Sequence, residues 1–272
     1  VYKRQQVMSA IVFSNVWKEY GDQVVLERLN LSVQSGEFCT IVGASGCGKT
    51  TFLRMLLGEE TPSRGSIELD GQPLPGEPGP DRGVVFQRYS VFPHLTVLQN
   101  VMLGLELKAA PLTGRLFGQR RRTAAASAAD MLESVGLTPA RDKYPSELSG
   151  GMQQRLALAQ SLITKPRILL LDEPFGALDP GIRADMHELV LNLWQQTGLT
   201  VFMITHDLQE GFYLGTRLLV FDRVRTDAQA LDSYGATVTY DLSIGTASSS
   251  TIAGIRKHVE QDVPRAMEAA AL

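Results

Sequence analysis

Gly43-Ala44-Ser45-Gly46-Cys47-Gly48-Lys49-Thr50 has the spacing G-x-x-x-x-G-K-[ST]. Glycines let successive backbone N–H groups turn inward around an anion, with a helix N-terminus behind them. Lys49 is placed to reach β- and γ-phosphates and the Thr50 hydroxyl to hold Mg²⁺, so the loop points to a nucleoside triphosphate. A second group of chemistry-bearing residues ends the apolar run Ile168-Leu169-Leu170-Leu171: the adjacent acids Asp172 and Glu173. Side chains alternate along a strand, so one carboxylate suits a metal shell and the other an attacking water; taken alone they are also two solvated acids. Ser149-Gly150-Gly151 opens a helix with Gln153 in its first turn, which is either a second anion site or an ordinary capped start. Gln87 and His206 each end an apolar strand, where ligand contacts gather in α/β sheets and where solvated ends also lie. Tyr20, at a turn, is a stacking surface for a base or a half-buried strand residue.

These groups need elements to hold them. The run 39–42 reads as a buried strand into the phosphate loop, and 51–57 as the helix leaving it, ending at Gly58. Before them, 11–13, 16–20, 24–26 and 29–33 read as short antiparallel strands with turns at Gly21-Asp22 and 35–37. An alternating strand, 66–71, closes at Asp70-Gly71, and a Pro/Gly-rich loop covers 73–81. Residues 82–87 return to a buried strand ending at Gln87. Helical spacing follows over 98–105 and over an Ala-rich stretch from Arg120-Arg121-Arg122 to Val135, stopped by Gly136. The triple arginine reads as a solvated helix face or a contact for a partner or lipid headgroups. A helix over 152–164, a strand into Asp172, a helix over 183–196 and strands over 200–205 and 218–221 complete the pattern. The expected fold is α/β, with residues 90–155 as a helical insertion. The tail shows a helical pattern over 252–261.

The chain has 272 residues and a formal net charge of −3, enough length for a sizeable core and no basic footprint for nucleic acid. The two cysteines, Cys39 and Cys47, make no disulfide or metal framework, which fits a reduced setting. Cys47 lies in the phosphate loop, so its alkylation is expected to block nucleotide binding. No stretch approaches the roughly 20 apolar residues of a membrane span, and no secretory signal is evident. Residues 1–7, ahead of Met8, read as an upstream remnant.

In this order, the motifs resemble the ATP-binding subunit of an ABC transporter over about residues 10–225. The loop 43–50 is similar to Walker A and 168–173 to Walker B. Leu148-Ser149-Gly150-Gly151-Met152-Gln153-Gln154-Arg155 is similar to the ABC signature, which other P-loop NTPases lack. Gln87 matches the Q-loop, Asp179 the D-loop, His206 the switch histidine and Tyr20 the adenine-stacking aromatic. Gly176 stands where the D-loop commonly has serine.

The resemblance implies a P-loop NTPase (RecA-like) core, with an antiparallel β subdomain and an inserted α-helical subdomain. It divides the chain into core (8–89 and 156–240), helical subdomain (90–155) and tail (241–272). It implies ATP and Mg²⁺ as cofactors, with Thr50, Gln87 and Asp172 toward the metal. Glu173 would be the general base, His206 the contact to the γ-phosphate and Gln87 the sensor of Mg²⁺ and water. Gly43 through Thr51, with Tyr20, would hold one side of the nucleotide. Ser149, Gly150, Gly151, Gln153 and Asp179 would meet nucleotide from a second copy of the chain, in a head-to-tail dimer. The groove around residues 90–95 would receive a coupling helix of a transmembrane permease, and a solute-binding protein would act indirectly. Pro78-Gly79-Pro80-Asp81-Arg82-Gly83-Val84-Val85-Phe86-Gln87 and 172–179 look like importer subunits for nitrate, sulfonate or taurine, peripheral on the cytoplasmic face of the cell membrane. A multidrug-type exporter, a soluble ABC ATPase of DNA repair or translation, and a P-loop small-molecule kinase are the rival classes. Exporters usually carry fused spans, soluble ABC ATPases paired domains or coiled coils, and kinases lack the 148–155 motif.

Overall fold

The computed structural model describes residues 9–87, 90–110, 114–225 and 234–246. In chain order these form β1 (Ser9–Tyr20), β2 (Gln23–Gln34), β3 (Phe38–Gly43), α1 (Lys49–Leu57), β4 (Arg64–Leu69), β5 (Gln72–Pro73) and β6 (Arg82–Val85). Then come α2 (Val97–Ala109), α3 (Gly118–Ser134), α4 (Gly150–Leu162), β7 (Ile168–Asp172) and α5 (Pro180–Thr197). The remainder is β8 (Thr200–Ile204), α6 (Leu208–Leu214), β9 (Arg217–Asp222) and β10 (Thr237–Ser243). Two compact units result, one from the described residues through Pro78 and from Thr200 onward, the other from Gly79–Leu199.

The first unit holds an antiparallel sheet in the order β2-β1-β4-β5. Where the sequence suggests separate short strands broken near residues 14–15 and 27–28, the structure keeps two long strands. Asn15 and Arg28 take left-handed φ of 48° and 46°. Each lies where the β1–β2 register slips, between the pairs Phe13–Leu31 and Val16–Leu29, and between Val16–Leu29 and Lys18–Leu26. One extra residue is thus absorbed as a bulge and the ladder continues. In the other sheet of this unit, β3 runs parallel to β8 and β9, and β10 adds antiparallel on β9. The interior strands β3 and β8 are buried almost throughout, which is why they read as unbroken apolar runs.

Phe52, on α1, ties the two sheets together. Its ring stacks on Phe13 of β1 with centroids 4.9 Å apart and meets Phe202 of β8 and Phe221 of β9 edge-on at 5.8 and 5.2 Å. The helix leaving the phosphate loop is therefore fixed by aromatic packing on three sides.

In the second unit β6 and β7 pair in parallel, Arg82 opposite Ile168 and Val85 opposite Leu171. Its helices enclose a separate core with Val97, Val101, Leu132, Leu156 and Ile163 buried. Ala124, Ala128 and Leu132 are the buried residues of α3, so over its first three turns small side chains set its close approach. Thr96 caps α2 in a reciprocal box with Gln99. The buried amide of Asn100 accepts from Phe92 N–H and donates to the carbonyls of Phe92, Leu95 and Thr96, freezing the 92–96 loop.

Several expectations need correction. Strand β6 stops at Val85, so Gln87 lies two residues beyond it, exposed on a bend. Helix α6 was not legible, being only 7 residues long. Strand β10 was not singled out either, although Thr237-Val238-Thr239-Tyr240-Asp241-Leu242-Ser243 alternates polar and apolar residues, and it runs past position 241, where the tail was expected to begin. What holds it is Arg217, which bonds both Asp241 carboxylate oxygens at 2.6 Å, Glu37 at 2.8 Å and the Ser32 carbonyl at 2.8 Å. The helical pattern over 252–261 lies outside the described residues. No described helix is long and apolar enough to cross a membrane.

Candidate functional site

In the first unit the phosphate loop joins the end of β3 to α1. The Lys49 ammonium donates to the Gly43 and Ala44 carbonyls, both at 2.8 Å, so the loop is closed on itself by its own lysine. Gly48 is the N-cap of α1 with φ 89°, and a Cβ there would stand 2.8 Å from Leu26 Cδ2. The N-cap glycine has no side chain to cap this helix start, so N–H groups of its first turn beyond Lys49, whose N–H meets the Cys47 sulfur, remain for an anion, and Ser45, Gly46 and Thr50 are exposed beside them. This loop fits a nucleotide's phosphates. The Thr50 hydroxyl here, and in the other unit the Gln87 amide oxygen and the Asp172 carboxylate, are each hard oxygen groups of the kind Mg²⁺ takes.

Cys47 behaves otherwise than its place in the loop suggests. It is only 4% exposed, and burial pushes its thiol pKa up, an effect that the nearby Lys49 offsets only in part. A protonated, covered thiol is a poor nucleophile. Iodoacetamide at pH 7.5 is therefore expected to label native protein at least about 10-fold more slowly than protein unfolded in urea, read by intact mass. Equal rates would mean that the loop opens freely.

Tyr20 ends β1, 44% exposed, with its hydroxyl donated to Glu60 and a further hydrogen bond to Thr51 on α1. The ring that the sequence suggested for a base is thus attached to the helix that leaves the phosphate loop. His206 is exposed between β8 and α6. The residues on either side of it are tightly held. The Thr205 hydroxyl donates to the buried Glu210 carboxylate and accepts from Asp207 N–H at 3.0 Å, and Asp207 caps α6.

In the second unit, Asp172 is the last residue of β7, and Glu173 leaves the strand with φ 47°. The direction of Glu173 is therefore set by a left-handed turn, not by strand alternation as expected. A β-carbon-bearing residue in that region costs about 1 kcal/mol or more, and such outliers gather at functional positions. Gln87 comes back to this turn: a Cβ added at Gly176 would lie 3.9 Å from Gln87 Nε2 and 3.7 Å from the Glu173 carbonyl. Asp179 is the N-cap residue of α5 but makes no side-chain cap bond, so its exposed carboxylate is not spent on its own helix. Ser149 caps α4, accepting from Met152 N–H at 3.4 Å, and Gly150 is exposed beside it. Gly151 is buried where α4 meets α5, with room for no side chain: a Cβ would stand 2.6 Å from Ile182 Cγ2. The Gln153 amide donates to the Pro145 and Leu148 carbonyls at 3.0 and 3.3 Å, so its donor side braces the turn before the helix.

The sequence profile of the ABC transporter family matches residues 26–176. The nitrate import ATP-binding protein NrtD of Synechocystis sp. is 46% identical over 200 residues, 74% of this chain and 71% of that one. The chain belongs to the ABC transporter ATP-binding family. The bicarbonate transport ATP-binding protein CmpD of Synechocystis sp. is 42% identical over 220 residues, 79% of this chain and 75% of its own length. Among solved structures, a dimeric ATP-binding cassette in a post-hydrolysis state bound to ADP and Pi superposes with TM-score 0.68 and 29% identity, covering 86% of this chain and 98% of that chain. An ATP-binding cassette of an ABC transporter in its ADP conformation gives TM-score 0.76 at 21% identity, covering 94% and 98%, and supports the fold. The resemblance read from the motifs and the P-loop NTPase fold are both borne out, and the chain is an ABC-type ATPase that binds nucleotide.

Some residues around the ABC motifs were not legible beforehand. Glu60 and Lys18 hold Tyr20; Thr205 and Glu210 frame His206. The only available signal was a charge or hydroxyl near a motif, and that is common on any surface. Gln154, inside the signature segment, is fully buried with neither amide atom paired among the described residues.

Proposed function

We propose that this chain is the ATP-hydrolysing subunit of an importer for a small solute, working as a head-to-tail pair beneath a separate membrane permease. The observation that carries this reading is the Ser149–Gly151 start of α4: a serine-capped, glycine-opened helix in a chain that already has a complete phosphate loop. One copy's loop binds ATP and the other copy's helix start covers it, so neither half-site works alone and hydrolysis is tied to closure. The dimeric relative bound to ADP and Pi supports the pairing.

Within each half-site the residues divide the work. The loop N–H groups and Lys49 bind the β- and γ-phosphates. Tyr20 stacks on the adenine, and Thr51 borders the α1 start. Glu173 accepts the proton of the attacking water, with Gln87 orienting that water. His206 donates to the γ-phosphate as charge gathers there. Thr50, Gln87 and Asp172 would hold Mg²⁺, which would supply charge neutralisation on the phosphates. Ser149, Gly150 and Gly151 of the second copy close over the γ-phosphate, Asp179 lines the same junction, and Gln153 positions the signature turn.

The cargo reading is nitrate, a sulfonate, taurine or a related nitrogen or sulfur compound, supported by the nitrate relative at 46% identity. A spermidine/putrescine import relative in Chromobacterium violaceum, 41% identical with 59% of its own length covered, keeps the cargo class broad. In this reading the chain is peripheral, held at the cytoplasmic face through the permease, with a solute-binding protein acting indirectly. The test is ATPase activity of the complex purified from its native membrane, with the binding protein and each candidate solute. Stimulation by one of them supports the importer and names its cargo. Purification with no membrane subunit and no stimulation would overturn it.

A further inference from the structure

A tyrosine at a strand end is ordinarily free to swing about both side-chain torsions, and that freedom must be given up whenever the ring is used as a platform. In this protein it is already restricted. The Tyr20 hydroxyl donates to the Glu60 carboxylate. Glu60 is itself held by the Lys18 ammonium at 3.2 Å and the Arg54 guanidinium at 3.5 Å. Lys18 also donates to the Thr61 carbonyl at 3.0 Å, and its ammonium stands 4.9 Å from the centroid of the Tyr20 ring. One ring face is thus taken by a cation, the tip is tied down, and the opposite face is the one left to a ligand.

The anchor is built from the helix that binds phosphate. Past the end of α1 the N–H groups of Gly58, Glu59 and Glu60 all return to the Arg54 carbonyl, at 3.0, 3.0 and 3.4 Å. This places Glu60 relative to the same rigid element whose first turn follows the phosphate loop, and Phe52 locks that element against three strands. Burial pushes the Glu60 carboxyl up, but the Tyr20 hydroxyl, Lys18 and Arg54 together outweigh it and hold the group below its usual range, so it stays an acceptor at neutral pH.

We propose that Glu60 is a positioning residue for nucleotide binding: by fixing the Tyr20 hydroxyl from the far end of α1, it presets the ring at the right distance from the phosphate loop for a purine base. This rests on Tyr20 being the base platform. Ordering one side chain in advance is worth about a 3- to 10-fold gain in affinity.

The experiment measures equilibrium binding of Mg·ATP and of Mg·tripolyphosphate, which has the phosphates and no base, to the full chain. The variants are Tyr20→Phe, Glu60→Ala, both together, and Tyr20→Ala. Tyr20→Phe and Glu60→Ala should each weaken ATP by about 3- to 10-fold while tripolyphosphate binding stays within about twofold of the parent. The double variant should be no worse than Tyr20→Phe, because Glu60→Ala then removes a partner the ring has already lost. Parent-like ATP binding in Tyr20→Phe and Glu60→Ala, equal loss of ATP and tripolyphosphate, or an additive double variant would overturn the proposal. If those two bind normally while Tyr20→Ala loses ATP, the tether fails and the base platform stands. If Tyr20→Ala also binds ATP normally, the platform reading itself has failed. Should Glu60→Ala not fold, Tyr20→Phe, which keeps the ring and removes the hydroxyl's bonds to Glu60 and Thr51, is read beside Thr51→Val, which removes only the second: a loss of ATP in Tyr20→Phe that Thr51→Val does not reproduce supports the Glu60 tether, and equal losses overturn it.

Discussion

Glu173→Gln is expected to lower the ATPase rate by about 10²- to 10⁴-fold, the usual worth of a general base, while ATP binding persists. Glutamine has the shape of glutamate and cannot take a proton, so the change removes the chemistry without emptying the site. It also leaves the left-handed turn at φ 47° as strained as before. Any loss of rate therefore reports on proton transfer rather than on a collapsed loop after β7. With hydrolysis stalled and binding intact, ATP should accumulate a stable dimer, measured by light scattering after gel filtration, where the parent protein is monomeric or exchanging. A variant that turned ATP over at the parent rate would place the base elsewhere, and one that bound no ATP would show that Glu173 holds the nucleotide instead.

Gly43→Ala is expected to destabilise the fold by about 3 kcal/mol or more, combining overpacking with an unfavourable backbone. Gly43 has φ 153°, and a Cβ there would sit 2.2 Å from the Phe221 carbonyl oxygen and 3.0 Å from Cys47 Sγ. The carbonyl has little room to retreat, because Phe221 is the β9 partner of Gly43 in the parallel ladder. Relief must come from unzipping the end of β3, and that end is where the phosphate loop begins. Gly46→Ala is the control: its Cβ would meet nothing within 4 Å, leaving only the cost of φ 77°, about 1–2 kcal/mol. Urea unfolding of both variants separates the two effects. Equal losses would mean that the close approach to Phe221 is relaxed at no cost.

The two variants bear on different kinds of legibility. Gly43, Gly48, Lys49 and Thr50 could be assigned from spacing, since a phosphate loop is one short segment whose backbone does the binding. The acids after β7 were equally visible, yet the way Glu173 points was not. The strand ends one residue before it, and a left-handed turn rather than the pleat aims the side chain. Gln87 was read as the last residue of a strand and is instead two residues past it, near the same turn. Tyr20 and His206 were visible as single residues, but not what holds them, because Glu60 and Glu210 carry no distinguishing neighbour in sequence.

The sequence by itself determined the phosphate loop, the apolar strands feeding it, the capped start of α4 and the family. All of these are local: glycine, hydroxyl and charge at fixed offsets, and apolar residues at a two- or 3.6-residue period. Tertiary structure alone decided the bulges at Asn15 and Arg28, the addition of β10 and the rigid seating of Tyr20. Each of those depends on groups far apart in the chain: Tyr20 meets Glu60 from 40 residues away, and Arg217 meets Glu37 from 180. Such pairs form only after the sheets and α1 have brought them together, so no window of sequence contains the information that makes them.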